Sequence, residues 1–171
     1  MTPPTTPNLY KSGIFVMYMD EVDRFPVRKH PRLKSYDYTQ SGYYFITICT
    51  KEKRCIFGDP HILNKCGKVA ENGLREIPLH FSGAAVDKYT VMPNHIHAII
   101  ILTEPNIALP VIIGQYKSAV TKQIHLFDPD MQVWQSSFHD HVIRNEKDYQ
   151  RIWAYIDANP ANWLDDCFYT Q

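Results

Sequence analysis

The sequence predicts an α+β domain, an antiparallel sheet with helices packed on one face. Three observations lead there. Tyr43-Tyr-Phe-Ile-Thr-Ile-Cys-Thr50 follows Gly42 and is rich in aromatic and β-branched residues, the composition of a buried strand. Ala84–Met92 and His95–Leu102 are strand-like and separated only by Pro93-Asn94, which suits an antiparallel hairpin. Ile107–Phe127 and Glu146–Ala158 carry apolar residues at helical spacing.

Along the chain, Met1–Pro7 is rich in Pro and Thr and is expected to be disordered. Gly13–Pro26 admits a short strand or an extended arm. We assign residues 1–30 to a flexible N-terminal arm and 31–171 to a single domain, with folding proper starting near Tyr36. Phe57-Gly-Asp-Pro60 reads as a turn. A helix is expected from about Gly67 to Glu76, with Val69, Leu74 and Ile77 as its apolar positions and Pro78 near its end.

The longer helix shows Ile112, Ile113, Tyr116, Val120, Ile124 and Phe127 on one face. Val133–Ile143 should contain another strand. Asn145 is placed to cap the final helix, and Asp148, at its third position, suits the positive end of the helix dipole. Tyr149, Ile152, Trp153 and Ile156 form the expected buried stripe of that helix. The order β, α, β, β, α, β and a further α fits a ferredoxin-like sandwich, and no internal repeat is visible.

The 171 residues are 44% apolar and 21% charged, which indicates a soluble globular chain. Its longest apolar runs are too short to span a bilayer, so no membrane partner is expected. Without a secretory signal, and with Cys49, Cys55, Cys66 and Cys167 lacking C-x-x-C spacing, the expectation is reduced thiols in the cytoplasm. That spacing does not support a zinc ribbon or a thioredoxin-type site. Formal charge balances at zero. Two basic clusters stand out locally: Arg28, Lys29, Arg32 and Lys34, then Lys51, Lys53 and Arg54. Such clusters are usually solvated surface, but they are also how a neutral protein builds a phosphate-binding face.

Chemistry concentrates in His95 and His97. Residues i and i+2 of a strand point the same way, so the two imidazoles share a face of an otherwise apolar strand. Two such histidines can merely line a polar sheet face, but a paired H-x-H inside so apolar a strand favours ligation, as half of a metal site on a rigid element. Tyr155 sits at the flank of the final helix's buried stripe, and Asn159 follows one turn later on the same flank. Taken alone, Tyr155 reads as a rim aromatic and Asn159 as a C-cap before Pro160. Tyr116 is a rival phenol with Lys117 beside it, although its place in the apolar repeat favours packing. A second H-x-H, His139 and His141, looks like part of a surface-edge strand. His30, His61, His80 and His125 read as surface histidines.

The whole arrangement resembles the single-tyrosine HUH transposases, in particular the REP-associated tyrosine transposases of the IS200-like family. The carriers are Val91-Met-Pro-Asn-His-Ile-His97, Tyr155-Ile-Asp-Ala-Asn-Pro160, Tyr43–Thr50 with Phe57-Gly58, Val133-Trp-Gln135 and Asp140-His-Val-Ile-Arg144. Together they cover roughly Arg32 to Trp163. The resemblance implies an HUH endonuclease fold with a C-terminal helix carrying the tyrosine. It implies His95, His97 and Asn159 as metal ligands and Tyr155 as nucleophile, cutting single-stranded DNA beside a hairpin. The expected products are a covalent 5′-phosphotyrosine and a free 3′-hydroxyl that later rejoins strands.

A divalent cation on a non-bridging phosphate oxygen would offset the negative charge that repels nucleophiles. Mixed nitrogen and oxygen ligation suits Mg²⁺ or Mn²⁺ and leaves Zn²⁺ open. A phenol with pKa ~10 needs help to lose its proton at neutral pH. Arg28, Lys29, Arg32 and Lys34 are candidate DNA contacts, and the chain is expected to work as a monomer or homodimer. Two alternatives stay beside the strand-transfer enzyme. One is a domesticated, non-cutting hairpin binder; the other is a metal-dependent hydrolase using water as nucleophile.

Overall fold

The computed structural model describes residues 36–105 and 107–169. The proposed arm, its ambiguous segment Gly13–Pro26, His30, and the candidate DNA contacts Arg28, Lys29, Arg32 and Lys34 lie outside the described residues.

Four strands form the main sheet: β1 (Gly42–Cys49), β4 (Ala84–Val91), β5 (His95–Leu102) and β6 (His139–Ile143). They are antiparallel in the order β4-β5-β1-β6. A small hairpin of β2 (Gly58–Asp59) and β3 (Ile62–Leu63) occupies the expected turn. The helices are α1 (Lys65–His80), α2 (Leu109–His125) and α3 (Glu146–Ala158), with a 3₁₀ segment from Asn159 to Asp165. β5 and α3 match their expected bounds.

Alternation along β1 and β5 sorts two cores. Tyr44, Ile46 and Ile48 join Ile96, Ala98 and Ile100 on one face, where α1 and α2 cover them through Ala70, Leu74, Ile77, Ile112, Ile113 and Val120. On the opposite face Phe45 and Ile99 meet Ile152 and Ile156 of α3. The tyrosine-bearing helix therefore packs on the second face, away from α1 and α2. The near-continuous apolar run of β5 is the sequence trace of a strand covered on both sides.

Several expectations shift in detail. α1 starts at Lys65, two residues before the expected Gly67, because Asn64 caps it, its side chain accepting from Gly67 N–H at 3.0 Å. A Cβ at Gly67 would lie 2.2 Å from the Phe57 carbonyl oxygen, so this first turn needs glycine. Pro78 lies inside α1 because in the last turn it deletes a single helical hydrogen bond, while buried Ile77 and Phe81 keep the chain wound. Residues 133–138 are not a strand: Trp134 makes only an isolated bridge to Thr50, and Lys117 instead donates to the Gln135 carbonyl at 2.6 Å. Trp153 leaves the expected buried stripe and stands 39% exposed, with the Lys88 ammonium 3.8 Å from its ring centroid.

α3 is fastened at several points. Two buried isoleucines provide roughly 1.5–3 kcal/mol each. A β-bulge in β4 shifts the register between Val86 and Tyr89, and its two residues both reach α3. Tyr149 Oη donates to Asp87 at 2.6 Å, and Lys88 pairs with Asp157. At the helix N-terminus Asn145 accepts from Asp148 N–H at 2.9 Å, the expected cap. Asp148 in turn takes hydrogen bonds from His141 at 2.7 Å and Arg151 at 2.8 Å.

Candidate metal and nucleophile site

His95 and His97 project from β5 on the α3 face, away from the core beneath α1 and α2. Their ring centroids are 4.5 Å apart. Both are fully enclosed, at 0% and 1% exposure, by Phe168, Phe45, Trp163 and Tyr155. Burial depresses the pKa of His95 well below its usual value, and neighbouring His97 adds to that effect. Burial alone takes His97 down to about 3. Both rings are therefore neutral at physiological pH, the state a metal needs.

The tautomer of His95 follows from Asn94. The Asn94 amide nitrogen donates to the Lys53 carbonyl at 3.1 Å and the Phe168 carbonyl at 2.8 Å. Its Oδ1 can then only accept, so His95 Nδ1, 2.8 Å away, carries the proton. His95 Nε2 is left as a buried lone pair without a hydrogen-bond partner. His97 Nδ1 bonds Thr47 Oγ1 at 2.9 Å, the residue directly opposite it on β1. His97 Nε2 lies 3.3 Å from Tyr155 Oη.

Asn159, buried at the end of α3, donates its Nδ2 to Asp166 Oδ2 at 2.7 Å. Its Oδ1 is a second buried acceptor without a hydrogen-bond partner. Asp166 also accepts from Phe168 N–H at 2.6 Å, and its carboxylate lies 3.9 Å from His95 Nε2. One donor atom from each of His95, His97 and Asp166 falls within 4.8 Å of the others. Lone pairs and a carboxylate gathered in a buried space repel one another unless a cation joins them. The residues present fit a divalent metal, and one chain brings all of them together with a phenol.

A family described as Transposase IS200 like matches residues 38–159, from the start of the sheet to Asn159. The chain belongs to this family. An uncharacterized Haemophilus influenzae protein is 34% identical over 169 residues, 83% of this chain and 93% of the relative. A second protein of that organism, provisionally named a REP-associated tyrosine transposase, is 27% identical over 135 residues, 73% of either chain. A solved REP-associated tyrosine transposase bound to a REP hairpin has a TM-score of 0.61 at 24% identity, covering 77% of this chain and 73% of its own. A provisionally assigned Deinococcus radiodurans transposase has a TM-score of 0.51 at 19% identity, covering 74% and 96% respectively. At such identities the two structures show the shared fold. The resemblance to REP-associated transposases and the HUH-type α+β fold therefore stand.

Within this IS200-like chain the other candidates separate cleanly. Tyr116 is 3% exposed, far from solvent, and its hydroxyl donates to the Ala70 carbonyl at 3.0 Å, a packing role. His139 lies exposed on edge strand β6, while His141 ties that strand to α3 through Asp148. His61, His80 and His125 are exposed. Lys51, Lys53 and Arg54 flank the site on a 3₁₀ turn where Glu52 and Lys53 have positive φ, and Lys53 Nζ sits 5.0 Å from the Phe168 ring centroid.

Three residues were missed from sequence. Thr47 is identified only by the β1–β5 register, which sets it opposite His97. Asn94 read as a hairpin residue, although an amide directly before H-x-H was the available signal. Asp166, in Leu164-Asp-Asp-Cys167, carries no local signal at all.

Proposed function

We propose that this chain is a metal-dependent single-stranded DNA nicking and rejoining enzyme that acts beside DNA hairpins through Tyr155. The observation that supports it most is the approach of Tyr155 Oη to His97 Nε2, beside buried donors suited to a cation. The relative solved with a REP hairpin supplies the substrate class.

His95, His97 and Asn159 would hold the metal, which when bound withdraws charge from a phosphodiester and aligns it. Mg²⁺ or Mn²⁺ suits the donor set. Tyr155 Oη attacks phosphorus, forming a tyrosyl ester while the bond to the 3′-oxygen breaks. The phenolic proton passes to solvent as the bond forms, and the departing oxygen takes a proton from solvent to become a 3′-hydroxyl. A 3′-hydroxyl attacking the same phosphorus reverses the step and frees Tyr155. Thr47 and Asn94 hold the two imidazoles in place, because each occupies the ring nitrogen that faces away from the chemistry. The site needs one copy of the chain, so a monomer suffices, and a cytoplasmic location belongs to the same reading. Arg28, Lys29, Arg32 and Lys34 would track hairpin phosphates, with binding that weakens as salt rises.

Covalent trapping tests the proposal. A hairpin oligonucleotide labelled at its 3′ end should leave the label on the protein in denaturing gels, and a 5′ label should not. Cutting without any protein-linked label would point to the water-using hydrolase. The complete enclosure of both imidazoles favours a second reading, a hairpin binder that does not cut. That reading gains if the hairpin binds and neither label is transferred in Mg²⁺ or Mn²⁺.

A further inference from the structure

We infer that Asp166 is an additional, anionic ligand of the metal site, supplied by the segment that follows the tyrosine helix. The inference rests on the metal-dependent reading above and adds a residue to it. Its basis is a donor inventory. His95 Nε2 is a lone pair by virtue of the Asn94 contact, and Asn159 Oδ1 is turned toward His95, with no hydrogen bond closed on it, because Nδ2 is committed to Asp166. Asp166 thus fixes which end of the Asn159 amide faces the imidazoles, and it places its own carboxylate among them.

The distances suit ligation better than a hydrogen bond. Asp166 Oδ2 and His95 Nε2 are 3.9 Å apart, beyond hydrogen-bond reach, and neither atom has a proton to offer the other when the ring is neutral. Two donors each about 2.1 Å from one cation sit roughly 3 to 3.5 Å apart, so a closure of about half an ångström would join them. The Asp166 side chain is only 2% exposed. A carboxylate is a hard oxygen donor, and with it the donor set carries one negative charge in place of none. Hard divalent ions that prefer oxygen, Mg²⁺ and Mn²⁺, gain most from that change.

The test measures Mn²⁺ binding to the full chain without DNA, by calorimetry and by loss of the free-ion electron paramagnetic resonance signal. Wild type, Asp166→Asn, Asp166→Glu and His97→Ala are compared, with thermal unfolding of each metal-free protein alongside. Asp166→Asn should weaken Mn²⁺ binding at least tenfold with metal-free unfolding close to wild type, and Asp166→Glu should restore most of it. Wild-type affinity in Asp166→Asn overturns the assignment. Equal weakening in Asp166→Asn and Asp166→Glu, with lowered metal-free stability, overturns it in favour of a purely structural carboxylate. If His97→Ala loses Mn²⁺ while Asp166→Asn keeps it, the two-histidine metal site survives and only Asp166 fails. If wild type binds no Mn²⁺, the metal reading fails with it.

Discussion

Replacing Tyr155 by Phe should abolish the protein–DNA adduct and leave the fold nearly untouched. The ring's packing survives the change: it meets His97 at 5.2 Å and Phe45 edge-on at 6.2 Å between centroids. The contact of the hydroxyl with His97 Nε2 goes. At 3.3 Å that bond is long, which places it at the low end of the usual ~0.5–1.5 kcal/mol. For a chain of this size the melting temperature should fall by about 1–2 °C. Tyr116→Phe should behave in the opposite way. Its buried hydroxyl donates to Ala70 at 3.0 Å, so its loss should cost about 1 kcal/mol while adduct formation continues. The assay pairs a 3′-labelled hairpin oligonucleotide in denaturing gels with thermal unfolding of each protein. An adduct that persists in Tyr155→Phe, or disappears in Tyr116→Phe at a temperature where that protein is folded, refutes the nucleophile assignment.

The remaining predictions concern the groups around that phenol. His97→Ala should reduce cutting at least a hundredfold while hairpin affinity in gel-shift titrations changes less than threefold; parallel losses would assign His97 a structural task. Lys88→Ala should leave unfolding within about 1 kcal/mol of wild type, because its partner Asp157 is 59% exposed and such pairs are weak. The same variant should slow adduct formation several-fold, since the bulge of β4 then loses one hold on α3, and an unchanged rate would show that the remaining holds, Ile152, Ile156 and the Tyr149–Asp87 bond among them, seat the helix without Lys88. Asp148 supplies the pH dependence: burial pushes its carboxyl up, but hydrogen bonds and charge from His141 and Arg151 outweigh this and hold it below the usual value. A depressed carboxyl contributes stability that is present above the unfolded-state pKa of ~3.9 and is lost as pH falls through the folded value. The urea midpoint of wild type should therefore exceed that of Asp148→Asn at pH 6 and converge with it in strong acid; a constant gap would exclude ionisation as the cause.

What the sequence by itself determined was local and periodic. β5 could be bounded from its apolar run and α3 from its stripe and Asn145 cap, because strand alternation, helical turn and capping act over a few residues. The same short range set His95 beside His97 and Asn159 one turn beyond Tyr155. Where local preference was weak, bounds drifted: residues 133–138 bond through their backbone to Cys49, Lys51 and the Lys117 ammonium instead of forming a sheet ladder. Tertiary structure alone decided that α3 covers the second face of the sheet, that Trp153 turns outward to Lys88, and that Thr47 and Asp166 meet the imidazoles. These depend on strand register and on contacts between segments far apart in sequence, such as His95 and Asp166, 71 positions apart, or Phe45 and Ile156, 111 apart. No window of neighbouring residues encodes such meetings, since they arise only when both faces of β5 must be covered at once.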